Sequence, residues 1–596
     1  MEHGHQDDDR RITYFAATDT RGEREMFGIR AADRGKHIYI IGKTGMGKST
    51  MLENMAIQDI QNGEGIAFID PHGATAERLL DFVPHERIKD VVYFAPFDTD
   101  HPVGFNVMED VGYDRRHLVV SGLMGALKRI WVDAWSARME YILQNTLLAL
   151  LEYPDSTLLD VNRMLTNKVF RAAVVEKIAD PIVKAFWTEE FASFTDTYTR
   201  EATPAIQNKI GQFTANPLIR NIVGQSRSSF DLRKMMDEKK ILIVNLSKGR
   251  MGETNAALLG SMLVVKIYLA AISRADEPSV RMAKLPRFYF YVDEFQSMMN
   301  EAFADILSES RKYKLALTLA NQYIEQMEEK VRDAVFGNVG TLVCFRVGPF
   351  DAEVLKTVFE PTFMAEDLIG LGIGQIYLTL MIDGVGSGPF SAQTIPPIEA
   401  PNVSYRDDVV QESRRTYGRE RASVEELIRH KQSEFAPIVK KRDDRPAGRD
   451  GRSSRDDGRE RHDAPRHFPP SPPRESVQVA STPARIIKVD NQRDALRSAI
   501  AAATPATAQQ RSPADILREK LARKMGPPAV QNAPATMSAP RVHAAPPPPP
   551  VAREPRPQPQ HEQKPRVSPA TEQPRRQEVS PETLRRLLET KGEDAA

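Results

Sequence analysis

The feature of the sequence that most restricts the fold is the glycine-rich stretch IIGKTGMGKST, which runs from Ile40 to Thr50. An apolar run, residues 37–41, precedes it, and residues 49–56 have a composition typical of a helix. This order predicts a buried strand, a tight loop and a helix whose positive N-terminal end faces the loop. Because glycine has no Cβ, such a loop can direct several backbone N–H groups at one anion. The stretch therefore predicts a phosphate-binding loop in an α/β fold.

Within this loop, Lys48 supplies a positive charge for phosphate groups, and Ser49 supplies a hydroxyl group that can bind Mg²⁺. The alternative is a glycine-rich turn beside an incidental lysine. The motif predicts ATP and Mg²⁺ as cofactors. The residues predicted to bind the nucleotide are Gly42, Lys43, Thr44, Gly45, Met46, Gly47, Lys48, Ser49 and Thr50.

Further along the chain, apolar runs alternate with segments that have helical periodicity. Continuous apolar runs are typical of parallel strands that are covered on both faces. The pattern predicts an α/β fold with a mostly parallel, doubly wound sheet, which ends in a hairpin formed by residues 375–382 and a second short run to Thr394. The other predicted strands are residues 65–69, 91–94, 241–245, 288–292, 315–319 and 341–345.

One long interval contains no strand signal. Between residues 112 and 236 the apolar residues recur at helical spacing, which predicts an all-helical domain inserted into the sheet domain. The predicted organisation has five parts. They are residues 1–111 and 237–400 as the two parts of the sheet domain, 112–236 as the helical insertion, 401–435 as a helical extension and 436–596 as a tail.

The tail differs in composition from the rest of the chain. It contains about 26 of the 42 prolines, and residues 1–430 and 431–596 carry net charges of about −10 and +10. We therefore predict a disordered, basic tail. Short helices with a serine N-cap are predicted from Ser512 and Ser580, and a weaker one near Asn491. They are either docking elements for protein partners or transient helices in a solvated tail.

A second motif completes the predicted site. In RFYFYVDEFQSM an apolar strand ends in Asp293 and Glu294, where ligands bind in open α/β sheets. This Walker B pattern assigns Asp293, with Ser49, to Mg²⁺ and Glu294 to activation of a water molecule. The alternative is a solvated acidic strand end.

Several other polar residues are candidates for the same site. Gln322 follows the strand expected beside Asp293 and is predicted to sense the γ-phosphate. Arg311, or as a rival Arg346, is predicted to reach the nucleotide of a neighbouring subunit, although a surface ion pair explains either arginine equally well. Asp70 is predicted to face the magnesium site, and His72 beside it is expected to make local hydrogen bonds.

Cysteine content and hydropathy suggest a location. One cysteine, Cys344, rules out an internal disulfide and suits a reducing compartment. The most apolar run, residues 255–273, is interrupted by Lys266 and is interpreted as a buried helix rather than an integral membrane segment. The expected localisation is cytoplasmic, including a peripheral position on a membrane-bound secretion machine.

Together, the motifs HIYIIGKTGMGKST, FIDPHG, KILIVNLSKGRMGETNAALLGSMLV, FYVDEFQSM and ESRKYKLALTLANQ resemble FtsK/HerA-like P-loop ATPases, in particular the type IV secretion or conjugation coupling proteins. The resemblance covers roughly residues 20–400. It implies a RecA-like motor with an all-α domain, a ring of six subunits and ATP-driven movement of DNA. It also implies the roles given above for Lys48, Ser49, Asp293, Glu294, Gln322 and Arg311.

Two functions remain open at this point. The first is an ATPase that translocates DNA; the second is an assembly or recruitment ATPase that remodels protein partners bound to the tail. The acidic balance of residues 1–430 and the lack of an N-terminal pair of membrane helices depart from the membrane-bound coupling proteins. Lys209, Lys248 and Arg250 are candidate DNA contacts, although a solvated side chain is the more ordinary explanation for each of them.

Overall fold

The structure is a computed structural model that describes residues 8–19, 24–299 and 302–435. The predicted tail, with its helices near Asn491, Ser512 and Ser580, lies outside the described residues. Everything below concerns the described part of the chain.

The central sheet has eleven strands, in the order β2-β1-β13-β10-β9-β3-β8-β7-β4-β6-β5. Strands β11 and β12 form a separate two-stranded hairpin. The strands are β1 (Ile12–Thr18), β2 (Met26–Arg30), β3 (Ile38–Ile41), β4 (Gly65–Asp70), β5 (Val91–Phe94), β6 (Ile241–Asn245), β7 (Phe288–Val292), β8 (Leu315–Asn321), β9 (Thr341–Cys344), β10 (Gln375–Thr379), β11 (Met381–Ile382), β12 (Val385–Gly386) and β13 (Phe390–Thr394).

The parallel part of the sheet matches the sequence prediction. Strands β9, β3, β8, β7, β4, β6 and β5 pair in parallel, and each coincides with a predicted apolar run. The predicted hairpin is confirmed, since β10 and β13 pair antiparallel. Strands β1 and β2, which extend the sheet beyond β13, were absent from the prediction. Only one face of β1 is consistently buried, so it has no continuous apolar run.

The described residues also form twenty-two α-helices, together with short 3₁₀ segments and one π-helical turn. They are α1 (Ala31–Arg34), α2 (Lys48–Gln61), α3 (Ala74–Asp81), α4 (Arg116–Ile130), α5 (Ala137–Leu151), α6 (Asp160–Thr166), α7 (Lys168–Lys177), α8 (Pro181–Ala185), α9 (Phe191–Ser193), α10 (Asp196–Ala202), α11 (Pro204–Ala215), α12 (Pro217–Val223), α13 (Leu232–Asp237), α14 (Lys248–Met251), α15 (Glu253–Ile272), α16 (Ser279–Lys284), α17 (Ala302–Glu309), α18 (Glu329–Asn338), α19 (Pro349–Phe359), α20 (Ala365–Gly370), α21 (Arg406–Tyr417) and α22 (Arg421–Ser433).

The sheet separates two hydrophobic cores. Alternate residues of β3 belong to different cores: Tyr39 and Ile41 to one, Ile38 and Ile40 to the other. Successive side chains of a strand point to opposite faces, so both faces of the sheet are covered by apolar side chains. One core contains α2 and α3, and the other contains α15 and α4. This arrangement is the doubly wound α/β architecture that the sequence predicted.

The interval between β5 and β6 is helical. All secondary-structure elements within residues 112–236 are helices, in agreement with the predicted periodicity. Helix α4 packs closely on α15, where a Cβ on Gly122 would lie 2.3 Å from a methyl carbon of Val265. Apolar side chains of these helices and of the sheet share one core. The assignment of this segment to a separate domain stays a prediction.

Helix α15 is the one described helix whose length and composition would allow it to cross a membrane. In the structure 78% of its most apolar window is buried inside the protein, which agrees with the interpretation of this run as a buried helix. Lys266 lies in its middle and is half-buried.

Helix α21 contacts the edge strand β5 of the sheet, and helix α22 contacts the helical segment. The backbone N–H of Tyr93 on the edge strand β5 donates to Ser413 Oγ of α21 at 2.9 Å. Lys431 at the end of α22 lies 3.0 Å from the carboxylate of Asp160 on α6. Residues 401–435, which were predicted as a helical extension, therefore contact both the sheet and the helical segment between β5 and β6.

A buried ion pair lies beside the helix that follows the phosphate loop. Arg34 donates to both carboxylate oxygens of Asp59 on α2, at 2.7 and 2.9 Å, and both side chains are almost completely buried. Tyr291 of β7 donates to the same carboxylate and accepts from Arg34 at 2.6 Å. A buried charge is tolerated only when it is paired and hydrogen-bonded, so this cluster holds α2 and β7 in one arrangement.

His37, directly before β3, is buried and adopts a left-handed backbone conformation with φ of 64°. Its Nδ1 accepts a hydrogen bond of 3.1 Å from the backbone N–H of Leu317. Burial lowers the pKa of His37 to about 4, against a weaker opposing effect of a hydrogen bond to the backbone of Leu307. The imidazole is therefore neutral at physiological pH.

We expect His37 to make stability depend on pH. Between its unfolded pKa of 6.5 and its folded pKa of about 4, only the unfolded state binds the proton. The free energy of unfolding should therefore fall, by up to about 3 kcal/mol, as the pH decreases through this window. His37→Asn tolerates the left-handed backbone and does not titrate, so it should lack this component in urea denaturation between pH 7 and pH 4. The exposed His101→Asn should behave like wild type, and parallel pH profiles for wild type and His37→Asn would contradict the assignment.

Candidate functional site

The phosphate loop begins where β3 ends and leads into α2, as predicted. Gly47 has a φ of 114°, a left-handed conformation that favours glycine, and its position ends the loop at the first turn of α2. A Cβ on Gly42 would lie 2.5 Å from the Cβ of Phe345, so only glycine fits between the loop and the segment after β9. The loop is therefore shaped by local backbone conformation and by a close tertiary contact.

Lys48, at the start of α2, points back into the loop. Its Nζ donates to the carbonyl oxygen of Gly42 at 2.6 Å and to that of Lys43 at 3.3 Å. Burial lowers the pKa of Lys48, while the nearby carboxylates of Glu294 and Asp293 oppose that shift. The ammonium group is thus held inside the loop, where an anionic phosphate would find it.

Ser49 and Asp293 join the two sequence motifs. Ser49 Oγ donates to Asp293 Oδ2 at 2.9 Å, although the residues are 244 positions apart in the chain. Asp293 is 3% exposed, and burial raises its pKa, with the hydrogen bond from Ser49 opposing this shift. A hydroxyl and a carboxylate oxygen in contact are suitable donors for Mg²⁺. The structure therefore brings the two predicted metal ligands together.

Glu294 follows Asp293 in a left-handed conformation with φ of 48°. Its backbone N–H donates to Asp293 Oδ1 at 2.9 Å, and its carboxylate accepts hydrogen bonds from the amide groups of Gln322 and Gln296. A non-glycine residue in this conformation costs about 1–3 kcal/mol, and such strain is concentrated at functional sites. The turn directs the Glu294 carboxylate towards the end of β8 instead of into the strand.

Gln322 links Glu294 to the phosphate loop. Strand β8, which precedes it, pairs with β7 on one side and β3 on the other. Gln322 Oε1 accepts from Thr44 Oγ1 at 3.0 Å, and its amide group donates to Glu294. The predicted position of Gln322 beside the Asp293 strand is confirmed. Neither the role of Gln296 nor the contact of Thr44 was predicted from the sequence, where the signal is that Gln296 follows Glu294 by two residues.

Asp70 ends β4 at the same edge of the sheet. Its two carboxylate oxygens accept backbone N–H groups from His72 at 2.8 Å and from Ala76 at 3.0 Å. These hydrogen bonds turn Asp70 towards its own loop and the start of α3, although its negative charge contributes to raising the pKa of Asp293. His72 contributes its backbone to this turn, and its side chain is exposed.

The two candidate arginines lie at opposite ends of the parallel strands: Arg346 follows a strand, and Arg311 precedes one. Arg346 follows β9, and its carbonyl oxygen accepts from the backbone N–H of Lys43 at 2.8 Å. Arg311 is exposed in the 3₁₀ segment Ser310–Tyr313, which precedes β8. Because β8 has seven residues, Arg311 lies about 23 Å from the end of the strand that carries Gln322. The structure thus places Arg346 beside the phosphate loop and Arg311 away from the loop of its own chain.

Two of the three candidate DNA contacts lie at the same edge as the phosphate loop. Lys248 and Arg250 are exposed on α14, directly after β6, and the N–H of Lys248 donates to the carbonyl of Pro71 at 2.8 Å. The guanidinium of Arg250 lies 4.5 Å from the ring centre of Phe97. Lys209 lies on α11, within the helical segment.

These features define a class. A phosphate loop between β3 and α2, with its serine hydrogen-bonded to an aspartate at the end of a strand two positions away, is the arrangement of the P-loop ATPases. A family model described as the type IV secretion-system coupling protein DNA-binding domain matches residues 28–354. The chain belongs to this family.

Solved structures with a similar fold include two of the plasmid coupling protein TrwB and one of VirB4. TrwB in complex with the GTP analogue GDPNP is 17% identical, with a TM-score of 0.45 over 63% of this chain and 89% of that chain. TrwB with ADP and Mg²⁺ is 15% identical, with a TM-score of 0.47 over 64% and 89%. VirB4 of Thermoanaerobacter pseudethanolicus is 13% identical, with a TM-score of 0.44 over 65% and 96%. The search of curated proteins found no match.

We expect the contact between Ser49 and Asp293 to determine how Mg²⁺ affects nucleotide binding. Asp293→Asn keeps the size of the side chain and removes the charge that would attract the metal. The variant should bind ADP like wild type in EDTA and should lose about 10- to 100-fold of the gain in affinity that Mg²⁺ provides. Fluorescent ADP titrations with and without Mg²⁺ measure both values. An Asp293→Asn variant with the full Mg²⁺ gain would show that this carboxylate does not serve the metal.

Proposed function

We propose that this protein hydrolyses ATP and uses the energy to move DNA as a ring-shaped oligomer, the six-subunit ring that its family resemblance implies. The observation that carries the proposal is the hydrogen bond between Ser49 and Asp293, with Glu294 held beside it. A loop for phosphates, donors for Mg²⁺ and a positioned carboxylate are the parts that hydrolysis of a nucleoside triphosphate requires. The family description adds DNA as the partner.

In this mechanism each side chain has a separate task. Lys48 exchanges its present bonds with the carbonyls of Gly42 and Lys43 for the phosphates of ATP. Mg²⁺, held by Ser49 and Asp293, would supply charge stabilisation for the phosphates. Glu294 accepts a proton from the attacking water, and Gln322 fixes the carboxylate in place. Because Gln322 also contacts Thr44, movement of the phosphate loop changes the position of the base.

A contribution from a neighbouring subunit is part of the proposal. Arg311 is the candidate for an arginine finger acting on an adjacent nucleotide, since it is exposed and distant from the loop of its own chain. Arg346 is adjacent to Lys43 and is the candidate for action within one subunit. Protein partners on the tail, residues 436–596, complete the proposed assembly.

The second candidate function is an assembly or recruitment ATPase that remodels proteins. The observation in its favour is the net negative charge of residues 1–430, because DNA binding depends on lysine and arginine side chains that neutralise the phosphates of DNA. Lys248 and Arg250 at the sheet edge favour DNA, since they provide exposed positive charge near the nucleotide site.

Two substitutions separate nucleotide binding from hydrolysis. Lys48→Ala should abolish detectable ATP binding, because it removes the ammonium group that is held inside the phosphate loop. Glu294→Gln should bind ATP normally and hydrolyse it about 10²- to 10⁴-fold more slowly, because it removes the base. Steady-state ATPase assays and nucleotide titrations measure these effects, and the exposed Glu353→Gln serves as the control. A Glu294→Gln variant with normal turnover would exclude the proposed role of this residue.

DNA dependence distinguishes the two functions. We expect single- or double-stranded DNA to stimulate the ATPase activity of the full chain, and the stimulation to decrease steeply with salt. A Lys248→Glu, Arg250→Glu double variant should lose the stimulation and keep the basal rate, whereas Lys284→Glu, a charge reversal on α16, should keep both. Activity indifferent to DNA, together with loss of protein partners on deletion of residues 436–596, would instead support the remodelling function.

A further inference from the structure

Lys266 interrupts the most apolar helix of the described chain, α15. Its side chain is half-buried and lines a cavity of about 910 Å³. Within the described residues it has no hydrogen bond and no ion pair. A partly buried ammonium group without a partner is unusual, because removal of a charge from water is costly unless another group compensates it.

The two carboxylates whose charges act on Lys266 form hydrogen bonds with other groups. Glu109 accepts hydrogen bonds from the backbone N–H and the hydroxyl group of Ser228, at 2.7 and 2.6 Å. Asp231 caps α13 by accepting the N–H of Lys234 at 3.1 Å. Their charges partly oppose the effect of burial, which lowers the pKa of Lys266. They do not pair with the ammonium group directly.

The other cations of the cavity wall have partners. Arg115 pairs with Asp276, and Arg227 lies 3.9 Å from the carboxylate of Asp155. Arg233 pairs with Asp237 at 2.7 Å and with Glu277 at 3.0 Å. Lys266 is therefore the cation of this wall that is open to an added anion. An anion that enters the cavity would meet one available positive charge instead of a diffuse basic surface.

The rest of the lining sets the kind of anion. Phe105, Met108, Tyr153 and Leu269 provide apolar surface, and serine hydroxyl groups provide donors. The lining also contains five carboxylates, and each of them accepts a hydrogen bond or pairs with an arginine: Glu109, Asp110, Glu152, Asp155 and Asp231. The volume lies in the range of about 300–1,000 Å³ that is typical of small-molecule sites. The lining includes no residue of the phosphate loop, and Lys266 lies thirteen residues into α15, about 20 Å along the helix from its start. The cavity is thus separate from the proposed ATP site.

We propose that this cavity binds a small organic anion, whose carboxylate or phosphate group contacts Lys266 and whose apolar body lies against Phe105, Met108 and Leu269. The wall combines α15 with segments near residues 105–111, 151–156 and 226–233. A bound anion therefore joins the sheet core to the inserted helices. This site is independent of the proposed motor function.

The test uses 1-anilinonaphthalene-8-sulfonate, an apolar anion, with the full chain and with saturating ADP and Mg²⁺ so that the phosphate loop is filled. We expect saturable binding of one dye molecule. Lys266→Met should weaken it at least about tenfold, because it removes a charge-assisted contact, whereas Lys266→Arg should bind within about threefold of wild type. Lys284→Met, an exposed lysine, is the matched control. Melting curves should show that all three variants remain folded.

Competition identifies the head group. Octanoate and octyl phosphate represent the two sources of the anion, and displacement of the dye by either one, with no displacement by octanol, supports the proposal. Ala270→Phe, which fills the cavity and retains Lys266, should also abolish binding. Equal dye binding by Lys266→Met and wild type, or equal displacement by octanol and octanoate, would overturn it.

Discussion

The contact between Ser49 and Asp293 is the constraint on which the site depends. It joins the first turn of α2 to the end of β7, and strand β8 lies between β7 and the phosphate-loop strand β3. The carboxyl ends of parallel strands lie along one side of a sheet, so the residues that follow β3, β8 and β7 lie close together. The order β3-β8-β7 then puts Gln322 between the loop and Glu294, where a hydrogen-bonded chain from Thr44 to Glu294 is short enough to form.

Buried polar contacts hold in place the strands and the helix that carry the site. Arg34, Asp59 and Tyr291 are buried and connect α2 with β7, so relative movement of the two elements would break charged hydrogen bonds. His37 adds a second fixed point, because its imidazole holds the backbone of β8 at Leu317. The phosphate loop and the residues around it are thus carried by strands and helices with buried anchors.

The parts of the predicted site that the structure brings together are those that follow from local pattern. A glycine-rich loop between a strand and a helix, and an acidic pair after an apolar run, predict their neighbours from spacing alone. Strands β1 and β2 were missed because β1 is buried mainly on one face and β2 contains Gly28, so neither gives a long apolar signal. Gln296 was missed because its contact depends on the left-handed turn at Glu294, which sequence composition does not specify.

By itself, the sequence determined the fold class, the parallel strands, the phosphate loop and the identity of the acidic pair, because hydrophobic periodicity and motif chemistry act over short distances. The tertiary structure decided which of these parts meet, as in the hydrogen bond from Ser49 to Asp293. It also placed Arg346 and Arg311 at opposite ends of the parallel strands and Lys266, without a partner, in the wall of a cavity. Such contacts depend on strand order and on packing between residues hundreds of positions apart. Only the folded chain supplies that information.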